Sequence, residues 1–333
     1  MRKTLINLTV AALAIGALAG CGGKADAAQV TTLRYQGNVG AVTLPELAAD
    51  LGYLGNVKLK WIGNSISGPQ DIQAATTGDT DFGGAFNGAI IKLAAAKAPI
   101  KAVISYYGVD AKTYTGFYVL KDSPIKTAKD LIGRKIGVNT LGAHSEAVIK
   151  TYLSKAGLTD AEIKKVELTV VPPVSTEQSL RQKQIDVGAL GGALRDKALD
   201  RGGIRPLFSD YQLFGKFSAG SYVFRKDFIA KNPKTVRTFV AGIAKTIEWT
   251  KHTPRKQVIA RLSAIIAKRH RNEDDTQTRY WQSYGIAGKG GVIAEREFTN
   301  WVDWLQRAGE LKGKQVDAKE IYTNEFNPYQ GKS

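Results

Sequence analysis

Four short segments of this 333-residue chain combine glycine with small or hydrogen-bonding residues: Gly37-Asn38-Val39-Gly40, Gly83-Gly84-Ala85-Phe86-Asn87-Gly88, Asn139-Thr140-Leu141-Gly142-Ala143-His144-Ser145 and Gly191-Gly192-Ala193-Leu194-Arg195. Glycine lets backbone N–H groups come close to a bound group, and a helix starting there adds partial positive charge. The chemistry is that of holding a small anion. The candidate contacts are Asn38, Val39, Gly84, Phe86, Asn87, Thr140, Gly142, Ala143, His144, Ser145, Gly192 and Arg195. Arg195 is the only guanidinium among them, so most of the anion's charge has to be met by dipoles and neutral donors. Helix capping is the competing role for Thr140 and Ser145.

Other chemistries fit these residues less well. Gly83 to Gly88 and Gly137 to Gly142 each show a glycine, four residues and a glycine, but Ala89-Ile90 and Ala143-His144 stand where a phosphate-binding loop needs Lys-Ser/Thr. No nucleotide cofactor is expected. The three histidines, His144, His252 and His270, have no metal-ligand spacing, so no metal is expected either. His144-Ser145-Glu146 has the side chains of a hydrolase, yet adjacent residues at a helix start point apart and Ser145 lies in no G-x-S-x-G elbow. The chain reads as a binding protein, not an enzyme.

The elements that must position these segments alternate. Strand signals fall at 30–36, 57–61, 81–83 and 100–106, with helix signals at 43–53, 69–77 and 87–98 between them. A second series after Leu120 places strands at 135–139, 166–171, 185–190 and 204–208 and helices at 143–156, 176–184 and 193–201. Such alternation predicts an α/β fold with two mostly parallel sheets flanked by helices. Ligands then bind beyond the carboxyl ends of the strands, which is where the four segments lie. Beyond Phe224 the chain reads as helical. Asn232-Pro233 looks like a cap, and Val236, Phe239, Val240, Ile243 and Ile247 share one face. Further helices are expected at 255–267, 274–284 and 295–309.

Cysteine occurs once, at Cys21, behind a basic start (Arg2-Lys3), an apolar run from Leu5 to Ala19 and the sequence Leu18-Ala19-Gly20. This reads as a lipoprotein signal peptide over 1–20 with lipid attached to Cys21, followed by a flexible tether over 21–28. The run is too short to span a bilayer, which takes roughly 20 apolar residues. A lipid anchor on a membrane and an extracytoplasmic or periplasmic location follow as expectations.

Once Cys21 is acylated no thiol remains for a disulfide, a metal or a nucleophile. The 47 Lys and Arg against 30 Asp and Glu leave +17, or +15 without Arg2 and Lys3. The basic cluster of Arg261 with Lys268-Arg269-His270-Arg271 lacks interleaved aromatics and is followed by Glu273-Asp274-Asp275, so it reads as a solvated helix face and not as a nucleic-acid groove.

Taken together, the lipobox, the tandem α/β series, Asp81-Phe82-Gly83-Gly84, the run Leu131-Ile132-Gly133-Arg134-Lys135-Ile136-Gly137-Val138-Asn139-Thr140 and Ile185-Asp186-Val187-Gly188-Ala189 resemble the solute-binding proteins of ABC importers, in the nitrate/sulfonate/taurine group. The resemblance implies a two-lobed, periplasmic-binding-protein type II-like fold with a helical C-terminal region. Lobe one would be 29–119 with 223–333, lobe two 120–222, and the crossing strands would lie near 116–120 and 218–225. It also implies a monomer that captures a small organic anion, sulfonate-like, for an ABC permease and its ATPase. Relatives carry an aromatic-rich stretch with a proline where this chain has Ala189-Leu190-Gly191-Gly192-Ala193, which leaves room for a bulkier solute or for Arg195 to reach inward. The alternatives are a lipoprotein that presents solute to a sensor, and a pyrimidine binder or thiamin-pyrimidine enzyme of the same fold. That enzyme needs a cysteine-rich iron motif, and the mature chain has no free thiol.

Overall fold

The computed structural model describes residues 28–332. The signal segment, Cys21 and nearly all of the tether lie outside the described residues. Among the described residues, ten strands form three sheets. β1 (Thr32–Gly37) and β2 (Lys58–Asn64) pair in parallel. β3 (Phe82–Phe86), β4 (Ile100–Val109) and β10 (Phe217–Arg225) form a second sheet in the order β3-β10-β4. The third contains β5 (Thr115–Leu120), β6 (Lys135–Val138), β7 (Glu167–Val170), β8 (Val187–Gly191) and β9 (Ile204–Ser209) in the order β7-β6-β8-β5-β9.

The parallel character expected from the alternation is broken by one strand in each of the larger sheets. β10 runs antiparallel to both β3 and β4, and β5 antiparallel to both β8 and β9, while β6 is parallel to β7 and β8. These are the strands the chain uses on passing between sheets. Each pairs wholly within one sheet, so neither crosses. The chain passes from one sheet to the next at 110–114 and 210–216.

Each sheet is covered by helices whose buried faces follow the sequence. Pro233–His252 buries Val236, Phe239, Val240, Ile243 and Ile247 against the first two sheets, with the Phe239 ring 4.7 Å from that of Phe82. Asn232 holds the N-cap position but its side chain makes no capping bond; its Oδ1 instead accepts from the Val30 N–H (2.8 Å) and ties the segment before β1 to this helix. Arg296–Arg307 buries Phe298, Trp301, Val302 and Leu305 over the helix Asn87–Ala95.

The helix expected at 274–284 is absent apart from a single turn at Thr278–Tyr280. Asp274 Oδ1 accepts from the Thr276 N–H (2.9 Å), and the carbonyl of Trp281 accepts from the Arg255 guanidinium (2.6 Å), which leaves the segment extended along the cleft.

Candidate ligand-binding cleft

Three adjoining spaces of about 210, 350 and 390 Å³ meet at Tyr106, which borders them all. The first lies under β1 and β3, and the second between helix starts from both sides of the molecule. The third runs along 277–284. The first and second also share Gly68 and Asn139, so they form one continuous cleft between the five-stranded sheet and the other two.

Six helices begin at this cleft. Leu44–Asp50 and Gly68–Thr77 are capped by the Thr43 and Ser67 side chains. Asn87–Ala95, His144–Lys155, Pro173–Arg181 and Gly192–Asp200 have no side-chain cap, and Phe86, Ala143, Pro173 and Gly191 at their starts all border the 350 Å³ space. A helix leaves its first N–H groups without intrahelical partners, so four uncapped ends converging on one space offer an anion many donors and a favourable field. Among the described residues, no lysine or arginine borders any of the three spaces. The dipoles therefore supply the positive potential.

Of the residues singled out from the sequence, Asn38 borders the first and third spaces and Gly84 the first. Phe86, Ala143, His144 and Ser145 border the second, and Gly192 the third. Gly84 is required where it is, because a Cβ there would come within 2.8 Å of the Tyr106 ring and 2.9 Å of the Tyr222 ring.

The other candidates are placed elsewhere. Val39 is 57% exposed and borders a separate surface hollow. Asn87 is fully buried, donating to the Glu297 carbonyl (3.1 Å) and accepting from Ser221 Oγ (2.9 Å). The Gly142 N–H is taken by Glu146 Oε2 (2.7 Å), and Thr140 Oγ1 is turned to the Leu141 carbonyl (3.5 Å).

Arg195 does not reach inward. Its guanidinium donates to the carbonyls of Tyr114 (3.2 Å) and Lys112 (2.7 Å), lies over the Tyr114 ring and pairs with Asp196. Trp61 also stays out of the cleft and stacks under Arg271.

Residues that sequence reasoning missed include Gln36, Asp71, Tyr106, Tyr107, Thr176 and Tyr222. Asp71 sits in the first turn of its helix, where an acid reads simply as complementing the dipole. The adjacent Tyr106-Tyr107 pair was one available signal; a register shift in the pairing of β4 with β10 beside it lets both rings face the cleft, 4.9 Å apart.

Burial pushes the Asp71 carboxyl up to about 7, against the lowering effect of the Gly84 N–H. Burial likewise drives His144 down to about 4, so its ring is neutral near pH 7, and lifts Asp210, 3.3 Å from it, up to about 7. His144 stacks on Phe86 at 5.1 Å and acts as a flat wall. Among the described residues, no group of three or more His, Cys, Asp or Glu is placed to hold a metal ion.

An α/β body with a cleft of this kind is the architecture of a periplasmic binding protein, and comparison with known proteins agrees. The chain belongs to the NMT1/THI5-like family, whose model matches residues 48–257. A binding protein of Brucella abortus (strain 2308) is 23% identical over 269 residues, 78% of this chain and 79% of that protein. The periplasmic aliphatic sulphonate binding protein SsuA from Escherichia coli superposes with a TM-score of 0.65 at 22% identity, covering 88% of this chain and 92% of that one. The periplasmic nitrate-binding protein NrtA from Synechocystis PCC 6803 does so with a TM-score of 0.69 at 13% identity, covering 89% and 87%. The fold is that of the periplasmic binding proteins.

Proposed function

We propose that this chain is the solute-binding subunit of an ABC importer, working outside the cytoplasm. It captures a small organic anion, sulfonate-like, between two lobes joined at 110–114 and 210–216, and hands it to a membrane permease with its ATPase. The observation that carries this reading is the 350 Å³ space on which four uncapped helix ends converge, with no lysine or arginine among the described residues at its border. A sulfonate spreads one charge over three oxygens and so accepts from several N–H groups at once. The sulfonate- and nitrate-binding relatives support the same class of solute. The role is capture, not catalysis.

Thermal-shift screening of alkanesulfonates, sulfate esters, taurine, nitrate, carboxylates and pyrimidines, followed by calorimetry, tests this. Sulfonates should raise the unfolding midpoint, and Ser145→Ala should weaken the best of them about ten- to hundredfold, the effect of one hydrogen bond to a charged group. Stabilisation by uncharged pyrimidines alone would remove the anion from the reading.

The lipid anchor at Cys21 belongs to the same proposal. Among the described residues no helix is long and apolar enough to cross a membrane, so attachment would rest on acyl chains. Cells given labelled palmitate should transfer it to the wild-type chain and not to Cys21→Ser; equal labelling of both would exclude that site.

A further inference from the structure

We propose that the protein has a second ligand site, separate from the cleft, which takes a flat aromatic anion. The site is a hollow of about 340 Å³ that shares no bordering residue with the three spaces of the cleft. It lies at the seam between the side of the five-stranded sheet and the rest of the molecule. Thr151 and Lys155 of the helix His144–Lys155 form one edge, and Phe214 and Lys216 of the passage 210–216 form another. The helix Arg296–Arg307 closes the hollow, and its Arg296, Asn300, Trp304 and Arg307 recur at three- and four-residue spacing, so one whole face is turned there. The volume falls within the range of roughly 300–1,000 Å³ that small-molecule sites occupy.

The floor is aromatic. Trp301 is the buried ring at its centre, with the rings of Phe214, Phe217 and Trp304 at 5.5, 6.2 and 6.3 Å from it. Trp301 also meets Phe86, a wall of the 350 Å³ space, at 4.7 Å, so two rings in contact separate the hollow from the cleft. A flat ring laid on this floor gains both area burial and the edge or offset contacts that aromatic pairs favour.

The rim is cationic. Lys155 spends one donor on the Leu213 carbonyl (3.4 Å), whereas Lys216, Arg296 and Arg307 are exposed and, among the described residues, make no ion pair, side-chain hydrogen bond or ring contact. Two acids share the border. The Glu297 carboxylate is taken by the N–H groups of Ser218 (3.0 Å) and Ala294 (3.2 Å), which leaves only the exposed Asp303 against four cations. A neutral ring would leave that charge unmet, and a bare anion would leave the floor wet. An aromatic carboxylate meets both, and a guanidinium fork matches its two oxygens. The cleft draws on helix ends, the hollow on side-chain charge, so the two sites select by different chemistry.

Calorimetry on the whole protein with three probes tests this: indole-3-acetate, which has ring and charge, indole-3-acetamide, which has the ring alone, and acetate, which has the charge alone. Indole-3-acetate should saturate one site and bind about tenfold more tightly than the amide, with acetate weaker still. Lys216→Glu combined with Arg307→Glu should remove that tenfold advantage and leave the amide unchanged. No saturable binding of indole-3-acetate at millimolar concentration, equal affinity for acid and amide, or an advantage that survives the double variant would overturn the proposal. If the double variant does not fold, Lys216→Glu alone is read in its place: a loss of about threefold supports the site, and no loss overturns it. Capture of a solute in the cleft enters none of these results, so a cleft that binds no sulfonate leaves them standing.

Discussion

Glu46→Gln is expected to destabilise the protein by about 3–5 kcal/mol, the range for removing one partner from a buried charge cluster. Glu46 receives Arg269 at 3.1 Å and Arg271 at 2.8 Å, and with Glu273, which binds Arg269 at 2.6 Å, the four side chains are each less than a tenth exposed. Glu46 also accepts from the Tyr35 hydroxyl (2.7 Å) and from the Thr43 N–H (2.9 Å). Glutamine keeps the volume but leaves Arg271 with no carboxylate, since its remaining hydrogen-bond partner is that hydroxyl. For a chain of this size the loss corresponds to a fall in the thermal midpoint on the order of 10 °C. Urea denaturation followed by tryptophan fluorescence would measure it. A loss under about 1 kcal/mol would put the cluster among ordinary solvated ion pairs.

That cluster marks a limit of what the sequence makes legible. Arg269 and Arg271 read as part of a solvated helix face because nothing local shows that Glu46, more than 200 residues away, comes to meet them. The helix Arg255–Arg269 ends there and His270 turns in the left-handed region (φ 50°), which swings Arg271 back toward β1. Sequence periodicity describes an element's faces but not what arrives from a distance.

The same division runs through the fold. Elements with a strong period or a clear stop, such as the helix Pro233–His252 or the helix His144–Lys155 ending before Gly157, were readable to within a few residues. Segment 274–284 was not, because its backbone is claimed by Arg255 and by the Asp274 carboxylate and not by a helix.

At the cleft, small residues after strands announced the helix ends correctly, since that signal is backbone geometry. The side chains of Asn87 and Arg195 were misjudged for one physical reason. A polar group beside a glycine-rich turn is as useful for joining two elements as for meeting a ligand, and only tertiary contacts decide which.

Arg195→Ala separates those two uses. If the guanidinium acts as the structure places it, it fastens the passage 110–114 to the start of the helix Gly192–Asp200 through the Lys112 and Tyr114 carbonyls. Its removal takes away two bonds from a charged donor and a cation stacked 3.9 Å over the Tyr114 ring, and leaves the largely buried Asp196 carboxylate without its partner. The expected cost is about 2–4 kcal/mol. Solute affinity should change by less than about threefold, because Arg195 does not border the cleft. The thermal midpoint should therefore fall by a similar amount with and without saturating solute, since a fixed gap between the two curves is the mark of unchanged binding. A tenfold loss of affinity with an unaltered midpoint in the free protein would mean that the guanidinium leaves the Tyr114 and Lys112 carbonyls and closes on the anion. The helix ends would then not be sufficient to hold it.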